Sequence, residues 1–68
     1  MPDRIVHGFM VGVRDIPTEG LMVRVQPVSS AGVALTPKQA SELAEAIEQA
    51  AIVAIRETAI RHLPPVRP

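Results

Sequence analysis

The chain has 68 residues, no cysteine and a single aromatic side chain, Phe9. It is therefore one domain near the lower size limit for folding alone, with neither disulfides nor thiolate-bound zinc to supplement the core. Seven basic and seven acidic side chains cancel, which argues against a basic patch large enough to dominate binding to nucleic acid or anionic lipid.

The balance is also local. Up to Thr36, Arg4, Arg14 and Arg24 face Asp3, Asp15 and Glu19; beyond it, Lys38, Arg56, Arg61 and Arg67 face Glu42, Glu45, Glu48 and Glu57. The longest fully apolar run, Ala50–Ile55, is far too short to cross a membrane. The opening MPDRIVHGF lacks the charged segment, apolar core and cleavage site of a signal peptide. The expectation is a cytoplasmic chain whose core is built from Val, Ile, Leu, Met and Ala. Small domains without disulfides or metals often gain stability by oligomerising.

After a short polar lead, Arg4–Arg14 reads as a strand, RIVHGFMVGVR. Ile5, His7, Phe9, Val11 and Val13 alternate onto one side, the expected core face. Val6, Gly8, Met10, Gly12 and Arg14 take the other, where the glycines mark a bulge or a close backbone approach. Asp15–Gly20, DIPTEG, has the Asp, Pro and closing Gly of a turn. Leu21–Val28 is the second strand, with Leu21, Val23 and Val25 inward and Met22, Arg24 and Gln26 outward. Pro27 cannot donate to a ladder and marks an edge or the strand's limit. Ser29–Gly32 is a second turn, and Gly32–Leu35 is long enough for a short third strand.

Thr36–His62 reads as one long helix. Thr36 and Gln39 form a capping box, and Pro37 occupies the first helical position, where its missing N–H costs nothing. Glutamates fall in the first half, and Arg56, Arg61 and His62 in the second, the order that suits the helix dipole. Pro64 and Pro65 stop the helix. At about 100° per residue, Ala40, Leu43, Ala44, Ile47, Ala50, Ala51, Ala54 and Ile55 share one stripe. The segment AAIVAI, Ala50–Ile55, is apolar all round; Ile60 extends a second stripe with Val53 and Ala46, and Ile52 points elsewhere again. A helix apolar around its circumference is covered on more than one side, whereas a small sheet covers only one. A second copy of the chain is the simplest supplier of the remaining cover.

The reading is thus α+β: an antiparallel hairpin or three-stranded meander followed by one long C-terminal helix, β-β-(β)-α, completed by dimerisation. Residues 1–63 form a single domain and 64–68 a Pro-rich tail, in which Pro65 and Pro68 have PxxP spacing. The expected oligomer interface is Ala46, Ala50, Ile52, Val53, Ala54 and Ile60, and Val53→Glu is expected to split the assembly.

The residues with chemical potential are few. His7 and His62 without a nearby carboxylate make a poor metal site, and His62 suits the helix C-terminus. Glu42, Glu45 and Glu48 drift around a solvated helix face, whereas paired acid–base catalysis requires carboxylates in different environments. Ser29, Ser30 and Ser41 lack a glycine-framed elbow, and Gly8 and Gly12 do not precede a helix as a phosphate-cradling loop does. No enzyme activity, metal or cofactor is expected. Arg14 and Arg24 fall together on the outer side of the hairpin, and a β-ribbon in the major groove is the one mode of contact with nucleic acid they suggest.

The segment Val33–Ala51, VALTPKQASELAEAIEQAA, resembles one found in many small uncharacterised proteins of actinobacteria and their phages. In these a short strand runs into L-T-P-x-Q-A and then a Leu/Ala-rich helix. The resemblance covers the helix start and little more of the chain. It implies a bacterial or bacteriophage source and a small accessory protein acting on a host protein, and it brings no functional residues with it. The leading expectation is a non-enzymatic homodimer working by protein–protein interaction; a small DNA-binding regulator using Arg14 and Arg24 is the alternative.

Overall fold

The computed structural model describes residues 2–63. Its elements are β1 (Arg4–Val6), β2 (Phe9–Ile16), β3 (Gly20–Pro27) and α1 (Pro37–Arg61). The chain is α+β: a three-stranded antiparallel sheet of order β1-β2-β3, followed by one long helix. The Pro-rich segment 64–68, with its PxxP spacing, lies outside the described residues.

Arg4–Arg14 is two strands rather than one. His7 and Gly8 both have positive φ, 49° and 85°, and Val6 pairs with Phe9 across them. Positive φ at both central residues of a two-residue hairpin defines a type I′ turn, whose twist matches that of the flanking strands. Glycine enters this region freely, and histidine does so more readily than most residues.

The turn changes the faces. Directly paired residues of antiparallel strands share a side of the sheet. Arg4, Val6, Phe9, Val11, Val13 and Asp15 therefore stand with Leu21, Val23 and Val25, while Ile5, Met10, Gly12 and Arg14 stand with Met22, Arg24 and Gln26. Phe9, Val11 and Val13 keep the side expected of them. Ile5 does not, and it is 65% exposed. The third strand of the meander is thus Arg4–Val6, and no strand forms at Gly32–Leu35.

The second hairpin follows its turn chemistry. Ile16 pairs with Gly20, the Glu19 amide donates to the Ile16 carbonyl at 3.0 Å, and Gly20 has φ 85°. Pro17 takes the first central position of the tight turn that this bond closes, and Gly20 supplies the left-handed residue that leads into β3. Past β3, the Val28 amide donates to the Gly8 carbonyl at 2.9 Å, which makes Gly8 and Val28 a hydrogen-bonded pair. Alternation along the ladder then turns the backbone groups of Leu21, Val23, Val25 and Pro27 away from β2. Pro27 thus lacks an N–H where none has a partner in the sheet.

The helix begins as its sequence dictates. Thr36 Oγ1 accepts from the Gln39 amide at 3.1 Å, Gln39 Oε1 accepts from the Thr36 amide at 3.0 Å, and Pro37 is the first helical residue. It ends at Arg61, with the His62 amide donating to the Thr58 and Ala59 carbonyls at 3.2 Å each. α1 runs in the direction of β2: Glu42 lies 3.5 Å from His7 near its start, and Arg61 donates to Asp15 at 3.1 Å at its end. Between these points Ala46, Ala50 and Ala54 lie against the sheet. With Val11, they are the buried hydrophobic residues among those described.

Two substitutions test these local arguments. Gly8→Ala forces an alanine into the left-handed region and sets its methyl 3.4 Å from Val33 Cγ2; it is expected to cost about 1–2 kcal/mol. Thr36→Ala removes half of the capping box and is expected to cost about 1 kcal/mol. Urea denaturation followed by circular dichroism at fixed protein concentration reads both. A Gly8→Ala midpoint equal to the wild type's would contradict the type I′ turn.

Candidate functional site

The surface that α1 turns to the sheet is centred on the line Ala46–Ala50–Ala54, with Leu43, Ile47 and Val53 partly buried on its shoulders. The apolar stripe read from periodicity is centred roughly 60° further round the helix. As a result Ala40, Ala44 and Ile55 are exposed. The reason is steric. Alanines let a helix backbone lie close to a sheet, and Ala46 and Ala50 are fully covered, as Val11 is on β2.

This redraws the expected oligomer interface. Ala46, Ala50 and Ala54 are occupied by the chain's own sheet and are not open to a second copy. Val53 is partly buried on the same side, so glutamate at this position would unseat the helix rather than simply split an assembly. Only Ile52, 40% exposed, and Ile60, 63% exposed, remain on the surface, and they project about 80° apart around the helix. Ile60 and Leu63 are exposed in the stretch past Ala54, beyond the last helical residue buried on the sheet.

The sheet face opposite the helix is open. It presents Ile5, Ile16 and Met22 at 65%, 38% and 46% exposure, together with Met10, Arg14 and Arg24. Arg14 donates to Asp3 Oδ2 at 2.7 Å. Asp3 lies over Gly12, where any Cβ would collide with its carboxylate; this is the close approach that a glycine within a strand signals. Arg24 bonds to Gln26. The structure thus brings Arg14 and Arg24 to one face, as expected, but half of that positive charge is matched by Asp3. The periodic reading missed Ile5 and Ile16 as members of this face. The His7-Gly8 dipeptide between apolar runs was the signal that would have placed Ile5 there.

Polar contacts at the rim hold the helix in register: His7 with Glu42, Arg4 with Gln49 at 3.4 Å, and Arg61 with Asp15. Exposed pairs of this kind contribute about 0–1 kcal/mol each, so they orient the helix more than they hold it down. His7 and His62 do not meet. His7 sits beside Glu42, and His62 lies twenty residues further along the helix, about 30 Å away. Among the described residues no three His, Cys, Asp or Glu side chains gather where they could hold a metal ion. Glu42, Glu45 and Glu48 are all exposed. Ser29 Oγ accepts from the Ala31 amide at 3.2 Å and closes its own turn.

Comparison with protein-family models, curated proteins and solved structures finds no match. No helix among the described residues is long and apolar enough to cross a membrane.

The contrast between covered and uncovered positions on α1 is directly measurable. Ala50→Leu inserts three carbons at a fully buried position of the helix and is expected to cost about 1–3 kcal/mol. Ile52→Lys changes an outward position and is expected to stay within about 0.5 kcal/mol of wild type. Denaturation midpoints in the reverse order would mean that the helix seats on another face.

Proposed function

We propose that the chain is a non-enzymatic, homo-oligomeric module, a dimer in its simplest form, that acts by binding another protein. One observation carries this reading. Val11 is the only fully buried side chain larger than alanine among the described residues, while Ile5, Met22, Ile52, Ile55 and Ile60 are all at least 40% exposed. A core of that size contributes little against the conformational entropy lost on folding. The remaining stabilisation is assigned to contact between copies, the usual recourse of a small domain without disulfides or metals. The open sheet face is then the surface for a partner protein. A cytoplasmic accessory role in a bacterium or its phage fits both the small size and the likeness of the Val33–Ala51 segment.

The DNA-binding alternative is supported by the placement of Arg14 and Arg24 on one face. It is weakened by the Asp3 carboxylate on Arg14 and by the apolar residues around both arginines. Phosphate contacts release counterions, so binding by this route would strengthen steeply as salt is lowered. Absence of binding to generic duplex DNA at low salt would eliminate it.

The oligomeric reading predicts mass-action stabilisation. Association that favours the folded state raises the melting temperature with protein concentration. Melting followed over a wide concentration range is expected to shift upward by several degrees; a constant melting temperature would contradict the reading.

A further inference from the structure

We propose that the chain dimerises by pairing β3 with β3 of a second copy across a two-fold axis. Two three-stranded sheets would become one six-stranded sheet with both helices on the same side. This rests on the homo-oligomer reading above and gives it a surface.

The first argument is the sheet edge. Of the two edges, β1 has three residues and β3 eight. The outward N–H and C=O groups of Leu21, Val23 and Val25 have no hydrogen-bond partner among the described residues. β3 carries no lysine and pairs with β2 without a bulge, with Pro27 only at its far end, and a long edge of this kind is a template for another strand. These three residues are symmetric about Val23. Antiparallel pairing centred there joins Leu21 to Val25 of the second copy, Val25 to Leu21, and Val23 to itself, so all the outward donors are satisfied. A register shifted toward Pro27 meets a residue without an N–H.

The second argument is the flank of the helix above that edge. On the side toward β1, α1 carries Glu42, 3.5 Å from His7, and Gln49, which accepts from Arg4, with Lys38, Glu45 and Arg56 beyond them. On the side toward β3, Leu21 forms a shallow groove with Ala54, Ile55 and Thr58. By helical periodicity Ala44, Ile47 and Ala51 continue that flank, with Glu48 only at its outer margin. Ile55 is 67% exposed there. The charge on the helix is thus drawn to the flank that the chain itself uses, and the overhang at the open edge is apolar.

The third argument is distance. α1 packs on β2 and β3 about equally and on β1 much less, so its axis is taken to run near the boundary between β2 and β3. With strands about 4.8 Å apart, a two-fold axis beside β3 is about 4.8 Å from that boundary. The two helix axes would then be about 9.6 Å apart, within the 8–10 Å of packed helices. Leu21 is level with Ala54, Ile55 and Thr58. Two residues along β3, about 6.8 Å, correspond to between four and five helical residues, which brings Ala51 level with Val23 at the axis. Small side chains are what helix contact at the axis demands. A joined flank about 27 Å long and about 20 Å deep covers on the order of 500 Å² before surface relief is counted, comparable with the ~800 Å² per partner of a standard interface.

The absence of cysteine allows a clean test. Ala51→Cys, Glu45→Cys and Met22→Cys are prepared in the full chain and oxidised mildly, and linkage is followed on non-reducing gels. Sedimentation gives the mass of each reduced variant. Ala51→Cys is expected to link at least about tenfold faster than the other two, because only there do two copies bring their Cα atoms within disulfide reach. Faster linkage at Met22 would mean sheets stacked through their open faces, and at Glu45 helices meeting by their charged flanks. Uniformly slow linkage with a dimer mass would mean another interface. Each of these overturns the proposal and leaves the homo-oligomer reading standing. A monomer mass for the reduced variants overturns both.

Discussion

The structure depends on the seating of α1 on the sheet, where Ala46, Ala50 and Ala54 are buried on the helix side and Val11 on the strand side. Three methyl groups at helical spacing bring the helix backbone close to the sheet. In exchange, the contact covers a narrow strip and little else. The capping box at Thr36 decides where the helix starts, and the rim contacts at His7, Arg4 and Asp15 decide how it lies. Neither supplies much stability, because the rim pairs are exposed to solvent. The hydrophobic contribution comes from that strip and its partly buried shoulders.

What the narrow seat leaves open follows from geometry. Ile60 and Leu63 lie past Ala54, the last helical residue buried on the sheet, and stay exposed although Arg61 still reaches Asp15. A seat centred on alanines also leaves Ile55 and Ala44 overhanging β3 and uses none of the side chains on the far face of the sheet. Within one chain, Ile5, Met22, Ile52, Ile55 and Ile60 therefore stay exposed. Edge pairing through β3 would cover the overhang and the free backbone groups together. It would also extend the open face of Ile5, Met10 and Met22 into a broader surface suited to another protein.

Much of this fold was legible in the sequence, where local chemistry dictates local structure. The Thr36–Gln39 box with Pro37, the DIPTEG turn and the alternation of Leu21, Val23 and Val25 each have a mechanism that acts within a few residues. The break at His7-Gly8 was not read, because alternation across Arg4–Arg14 continues unbroken through it and histidine is a weaker turn signal than asparagine. That single turn supplied the third strand and moved Ile5 to the open face. The seat of the helix was also displaced. Hydrophobicity scales weight Ile47 and Ile55 above alanine, whereas close packing selects the smallest side chains. The i, i+4, i+8 spacing of Ala46, Ala50 and Ala54 was legible but was assigned to a second copy rather than to the chain's own sheet. The spacing of the surface residues matches no motif that names a partner, so the nature of any partner was not legible at all.

The central claim is that one chain is half of the folded unit, and mass in solution tests it most directly. Light scattering after size exclusion, across a hundredfold range of concentration, is the measurement to make. A mass of twice the chain's 7.3 kDa, falling toward the single-chain value only with loss of helical signal at the lowest concentrations, is the expected result. A well-folded single chain throughout the range would contradict it. It would show that the alanine seat and Val11 suffice for folding.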